Sequence, residues 1–194
     1  MTTRLIFIRH GITEWNKQKR YCGHIDVSLS KQGKAQAKKL RKRLKPVKFD
    51  KIYCSNRRRA IQTANIIFPG ARITKLSALR EINFGAIEGL RHDEIMEKYA
   101  LAYKKWLENP YKGRIPKAEL MQVFKKRVQG AIEKILYSGR GKIIAVVCHG
   151  GVIGIFVSSM LKSRNFWRYV PAAASATVVD FKNGRPRIKS FNQI

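Results

Sequence analysis

"KIIAVVCHGG", residues 142–151, decides the architecture. The apolar run from Ile143 to Val147 is short, rich in β-branched residues and closed by a glycine pair, which reads as a strand buried on both faces from Lys142 to Val147. A helix from about Val152 to Leu161 follows directly. A doubly buried strand running straight into a helix is the unit of a parallel sheet covered by helices. The strand also ends on Cys148-His149-Gly150-Gly151, which sets a histidine at its carboxyl end.

Read outward from this stretch, the chain alternates strand and helix. Arg4 to Ile8 is a short buried strand. Ser30 caps a helix from Lys31 to about Lys45, stopped near Pro46. Lys51 to Cys54 is a second strand, and a helix from Arg57 to Phe68 ends at Pro69-Gly70. Ile73 to Leu76 is a candidate third strand. Helices are expected at about His92 to Leu107 and Lys117 to Tyr137, separated by Asn109-Pro110 and the 113–116 region. "SATVVDF" (175–181), Asn183-Gly184 and "RIKSF" (187–191) read as a terminal hairpin. The expectation is one domain over 1–194, a three-layer α/β/α sandwich with a mostly parallel central sheet, carrying a small helical lid at about 91–116.

The bulk numbers agree with a folded, soluble chain. Its 194 residues suffice for one core, and 44% are apolar. Cys22, Cys54 and Cys148 form no C-x-x-C pair, which suits a reducing cytoplasm. The run 5–8 is too short for a signal-peptide core, and 152–161 is about half a membrane span. The charge is unusual: 41 basic and 12 acidic residues give +29. Such a field attracts anionic metabolites and polyanions. The densest basic run, Lys31 to Lys51, still carries Ala37, Leu40, Leu44 and Val47 at helical spacing. It therefore reads as a packed helix with a solvated basic face, and any nucleic-acid binding as non-specific attraction.

Ligands of open α/β sheets bind beyond the carboxyl ends of strands. The first strand ends at Arg9-His10-Gly11, the second at Cys54-Ser55 ahead of Arg57, Arg58 and Arg59, and the strand at 142–147 ends at His149. Two of the four histidines thus stand just past strand ends, each followed by glycine. A helix N-terminus opens at the same place. The result is a concave cationic pocket bearing histidines, suited to a phosphate, or to a sulfate in its place. Either histidine alone would read as a satisfied core residue; their matched contexts favour the pocket. His24 and His92 lack that context. No His/Cys spacing matches a zinc site, so no metal and no cofactor is expected. Cys22 near such a pocket would have its thiol pKa lowered by the positive surroundings; a passive loop position is the simpler reading.

With these segments in place, "IRHGITEWN", "SNRRRAIQTA", "LREINFGAIEG" and "VVCHGG" together resemble the signature segments of the histidine phosphatase superfamily, the phosphoglycerate-mutase-like fold. The likeness runs over nearly the whole chain. It implies His10 as the nucleophile taking the phosphoryl group; Arg9, Arg59 and His149 as holders of its oxygens, with Asn16 assisting; and Glu81 as proton donor. Gly11, Cys22, Gly23 and Gly150 complete the implied substrate contacts. Glu88 ranks second to Glu81 as a structural acid, and Glu14 orients the first loop. Trp106, Tyr99 and Tyr103 are expected to pack the lid helix, some lining the substrate's far end. The chain departs from the family pattern at Asn56 and Arg57, at Ile87 and at Ala118-Glu119-Leu120, which leaves the part played by Glu119 open.

The reaction implied is metal-independent hydrolysis of a small phosphorylated metabolite through a phosphohistidine. "LREINFGAIEG" looks closest to the α-ribazole phosphatase and broad-specificity branch, so α-ribazole 5'-phosphate is one candidate substrate. Phosphoglycerate mutase-type transfer is the near alternative. A basic nucleic-acid-binding protein that keeps the fold without turnover is the alternative of another class.

Overall fold

A computed structural model describes residues 1–163 and 165–193. The alternation folds into one six-stranded sheet of order β3-β2-β4-β1-β5-β6. The strands are β1 (Thr2–Arg9), β2 (Lys51–Ser55), β3 (Ile73–Leu76), β4 (Ile143–Cys148), β5 (Ala176–Lys182) and β6 (Arg185–Gln193). β1, β2, β3 and β4 pair parallel, while β5 runs antiparallel to β1 and β6 antiparallel to β5. The expected mostly parallel sandwich is thus present, with the terminal hairpin added at one edge and turned by Asn183-Gly184.

The central strands are buried on both faces because each face carries a helical layer. Leu5, Phe7, Ile144 and Val146 pack with Phe124, Val128, Val152 and Phe156 on one side. Ile6, Ile8, Ala145 and Val147 pack with Ala37, Leu40, Ala60 and Ala64 on the other. The period-two side-chain alternation of a strand therefore feeds two cores at once, which is why these strands read as unbroken apolar runs. The first face is covered by α5 (Met121–Ser138) and α6 (Gly150–Met160), the second by α2 (Lys31–Leu44) and α3 (Arg58–Ile67). Ser30 caps α2 by accepting from the Gly33 N–H at 3.0 Å.

A short helix, α1 (Glu14–Lys17), was not legible in "ITEWN"; Thr13 and Asn16 close it in a capping box. α4 (His92–Glu108) lies over a small separate core of Ile87, Ile95, Tyr103, Trp106 and Ile115. Two helix starts differ from expectation. α5 begins at Met121 rather than Lys117, because Lys117 adopts a left-handed φ of 59° and breaks the pattern. α6 begins at Gly150 rather than Val152, because the glycine pair is buried against Arg9 and Glu81 instead of forming a loop. Among the described residues no helix is long and apolar enough to cross a membrane.

Candidate active site

The parallel pairing brings β1 and β4 side by side with Arg9 opposite Cys148. The next residues along each strand are His10 and His149, whose ring centroids lie 5.1 Å apart. Two imidazoles 139 positions apart in sequence thus share one site because neighbouring parallel strands end together.

The hydrogen bonds of each ring set its tautomer. His10 Nδ1 lies 2.7 Å from the Gly11 carbonyl, which can only accept. The proton therefore sits on Nδ1, and Nε2 presents a lone pair. His149 Nε2 lies 2.8 Å from Ser55 Oγ, while its Nδ1 is buried without a partner. Ser55 Oγ also accepts the Arg57 N–H at 3.3 Å. With the Ser55 hydroxyl donating to Nε2, His149 Nδ1 carries the proton as an unsatisfied donor. Burial, then Arg59 and neighbouring cations, hold both imidazoles well below the usual histidine range, so both are neutral.

Arg59 is fully buried at 0% exposure. Its guanidinium is held by the carbonyls of Ile25 at 3.1 Å, Cys22 at 3.3 Å and Gly23 at 2.7 Å. Arg9 donates to the Pro171 carbonyl. The Nε atoms of both arginines are buried and unpartnered. A buried N–H without an acceptor is costly, and buried polar groups are nearly always paired. Three such donors around His10 (Arg9 Nε, Arg59 Nε and His149 Nδ1) describe a hole shaped for an anion's oxygens.

Glu81 closes the site from the turn after β3. Its carboxylate accepts the Gly151 N–H at 2.8 Å and the Ile82 N–H at 3.0 Å. A methyl group on Gly151 would stand 2.1 Å from Glu81 Oε1, so only glycine at 151 admits the acid here. Burial raises the Glu81 pKa above the ordinary carboxylate value, against the lowering effect of its hydrogen bonds, Arg59 and Arg9. The site thus pairs a neutral imidazole with a carboxyl biased toward its protonated form.

The remaining expected residues take definite places. Asn16, Cys22 and Gly150 line the pocket with Arg9, His10 and Glu81. Asn16 Oδ1 accepts the Thr13 N–H at 3.0 Å. Gly11 donates its N–H to Thr63 Oγ1 and faces the backbone of Gly33, and Gly23 gives its carbonyl to Arg59. For Cys22 the lowered thiol, the lesser of the two readings, does not hold: burial outweighs Arg59 and raises its pKa to about 11. Glu88 is structural, accepting the backbone N–H groups of His24 at 2.6 Å, Ile25 at 2.7 Å and Phe84 at 3.1 Å. Asn56 takes Arg80 Nε on its Oδ1 at 2.7 Å, and Ile87 is buried in the α4 core.

Sequence reasoning missed Ser55 as the partner of His149 and missed most of the outer pocket. The cavity, of about 340 Å³, is walled by Tyr21, Phe84, Trp106, Phe166 and Trp167, with Lys19 and Arg20 at the rim. Trp106 and Tyr103 both pack α4; Trp106 also lines this wall, and the Tyr103 hydroxyl lies 2.8 Å from that of Tyr21. The only signal for this wall was aromatic content dispersed over distant segments.

The likeness to known proteins spans nearly the whole chain. The model of the family described as "Histidine phosphatase superfamily (branch 1)" matches residues 5–194. Phosphoserine phosphatase 1 of Hydrogenobacter thermophilus is 31% identical over 97% of this chain and 92% of its own. Adenosylcobalamin/alpha-ribazole phosphatase of Salmonella typhimurium is 28% identical over 97% of this chain and 96% of its own. The solved structure of Bacillus stearothermophilus YhfR superposes with a TM-score of 0.94 at 28% identity, covering 99% of this chain and 98% of that one.

Proposed function

Because this chain belongs to the histidine phosphatase superfamily and is a phosphoric monoester hydrolase, we propose that it works through a phosphohistidine on His10. The observation that carries the reading is the set of three orphaned N–H donors around an imidazole whose Nε2 is unprotonated. His10 Nε2 attacks phosphorus as the bond to the alcohol oxygen breaks. Arg9, Arg59 and His149 take the equatorial oxygens, where negative charge is spread in the transition state. Protonated Glu81 gives its proton to the departing oxygen. The resulting carboxylate then takes a proton from water as that water attacks phosphohistidine, releasing phosphate and restoring both groups.

The outer cavity supports a substrate whose alcohol carries a ring. Five aromatic walls favour stacking, and Lys19 at the rim supplies a cation for a second polar group. This favours an α-ribazole-like 5'-phosphate, the substrate type in the name of the Salmonella relative, over the compact phosphoserine in that of the Hydrogenobacter one.

The test is a panel of α-ribazole 5'-phosphate, phosphoserine, sugar phosphates and 3-phosphoglycerate, run with chelator and joined to trapping of labelled enzyme. Expected are retained hydrolysis in chelator, highest kcat/KM on the ring-bearing ester, and an acid-labile, base-stable label lost in His10→Ala. Conversion of 3-phosphoglycerate to its isomer without phosphate release would establish transfer instead. Loss of activity with chelator would overturn the mechanism.

A further inference from the structure

Arg127 lies in the middle of α5 and lines no part of the catalytic pocket, yet its donors are all committed to the 78–81 loop and to Glu119. Nη1 donates to the carbonyls of Ala78 at 3.0 Å and Arg80 at 2.8 Å. Nη2 donates to the carbonyl of Glu81 at 2.8 Å. Nε and Nη2 grip the Glu119 carboxylate at 2.7 and 2.8 Å. Glu119 in turn is locked to the extended segment beyond Glu81: its N–H donates to the Asn83 carbonyl at 2.9 Å, and its Oε2 accepts the Asn83 N–H at 3.3 Å. The Arg127–Glu119 pair is largely screened from water, with side chains 21% and 12% exposed.

We infer that Arg127, oriented by Glu119, is a positioning residue that holds the backbone of the proton donor Glu81. The reason is geometric. The segment from Ala78 to Glu81 is a tight turn and an extended link, and it cannot satisfy its own carbonyls. A planar guanidinium can bind three carbonyls and a carboxylate at once, and an ammonium cannot. The Glu81 carboxylate is anchored on one side by Gly151 of α6, and its main chain on the other by Arg127 of α5. Neither anchor alone fixes the acid's oxygen against the leaving group. Proton transfer demands hydrogen-bond reach, and a displacement near 1 Å can cost about 10²-fold in rate. Glu119, whose part the sequence left open, thereby belongs to the acid's support.

This inference rests on the proposed role of Glu81, and its test separates the two. A departing p-nitrophenolate needs little protonation, whereas an alkoxide needs much. The reading is kcat/KM, which reports phosphoryl transfer to His10, for p-nitrophenyl phosphate and for glycerol phosphate in the same full-length protein. Glu81→Gln is the reference and should lower the glycerol ester far more than the aryl ester. Arg127→Lys and Glu119→Gln should show the same skew, with the glycerol ester falling by roughly 10–100-fold and the aryl ester by less than about threefold. Glu119→Gln keeps the test open should Arg127→Lys fail to give a cooperative thermal melt. Equal losses on both esters in folded variants, or no loss, would overturn the positioning role while the skew in Glu81→Gln still stands. Absence of skew in Glu81→Gln itself would overturn the proton-donor reading and this inference with it.

Discussion

At the scale of single residues, the site is set by which atoms are left without partners. His10 spends Nδ1 on a backbone carbonyl and leaves Nε2 unprotonated. Gly151 has little tolerance for a side chain, since a Cβ would meet Glu81 Oε1 at 2.1 Å. Gly151→Ala should leave the thermal melt nearly unchanged, because alanine suits a helix better than glycine, yet lower kcat/KM on alkyl esters by about 10²-fold. Steady-state kinetics beside a calorimetric scan would check both halves. The titrations give a second expectation. In the proposed mechanism His10 is neutral and Glu81 protonated for the first step. With His10 held below its ordinary value of 6.5 and Glu81 above its ordinary value of 4.5, kcat/KM should be bell-shaped. Its rising limb belongs to His10 and its falling limb to Glu81. A profile on which Glu81→Gln leaves the falling limb in place would contradict that assignment.

At the scale of elements, helix starts do more than strand ends reveal. α2 approaches the loop that carries His10 so closely that a Cβ on Gly33 would stand 2.0 Å from the Ile12 carbonyl, and one on Gly11 would stand 2.4 Å from the Gly33 carbonyl. The two glycines let the helix lie directly on the loop that carries His10. Gly33→Ala should therefore destabilise the protein despite alanine's helix preference of about 1 kcal/mol, and should lower kcat as the loop shifts. Urea denaturation and kinetics on the same samples measure the two effects. Ser30→Ala, by contrast, removes only the cap and should cost about 1 kcal/mol with little change in kcat. α3 begins at Arg58 with Arg57 as its N-cap, cations at the positive end of a helix, where the dipole opposes them. An anion bound nearby relieves that opposition.

At the scale of the whole molecule, charge governs. The full sequence carries 41 cations, and among the described residues ion pairs engage only Arg4, Lys17, Arg20, Arg91 and Arg127. Most of the rest repel one another, and salt screens that repulsion over about 10 Å at 0.1 M. The melting temperature should rise as sodium chloride is added from low salt. Phosphate at equal ionic strength should raise it further by filling the donor hole, an increment that Arg59→Met should abolish. A melt insensitive to salt would show that the excess charge is neutral to stability. Acid acts through the site as well. The two buried histidines have folded pKa values below 6.5, so the stability they confer is present above 6.5 and declines as pH falls from there. Glu81, raised, works in the opposite sense, and its share is lost as pH climbs above 4.5 toward its folded value. His10→Asn should therefore soften the acid limb of the stability curve.

The layers of the fold and the principal cluster were legible because each rests on local signals. Ile143 to Val147 is apolar without interruption, so it must be covered on both faces. His10 and His149 each follow such a strand, so the sheet rule places them at its carboxyl end. Ser30 and the Asn183-Gly184 turn were readable from the chemistry of caps and hairpins. What tertiary structure alone decided were relations between groups remote in sequence whose pairing no periodicity encodes. The raised Cys22 thiol depends on how deeply the loop is buried, and that burial outweighs the guanidinium beside it. Ser55 on His149, Glu88 on the 24–25 backbone, and Arg127 with Glu119 behind Glu81 are bonds of angle and distance. Hydrophobic patterning dictates which face of an element turns inward. Only the packed chain dictates which donor meets which carbonyl, because hydrogen bonds act over a few ångströms and sequence spacing does not measure those.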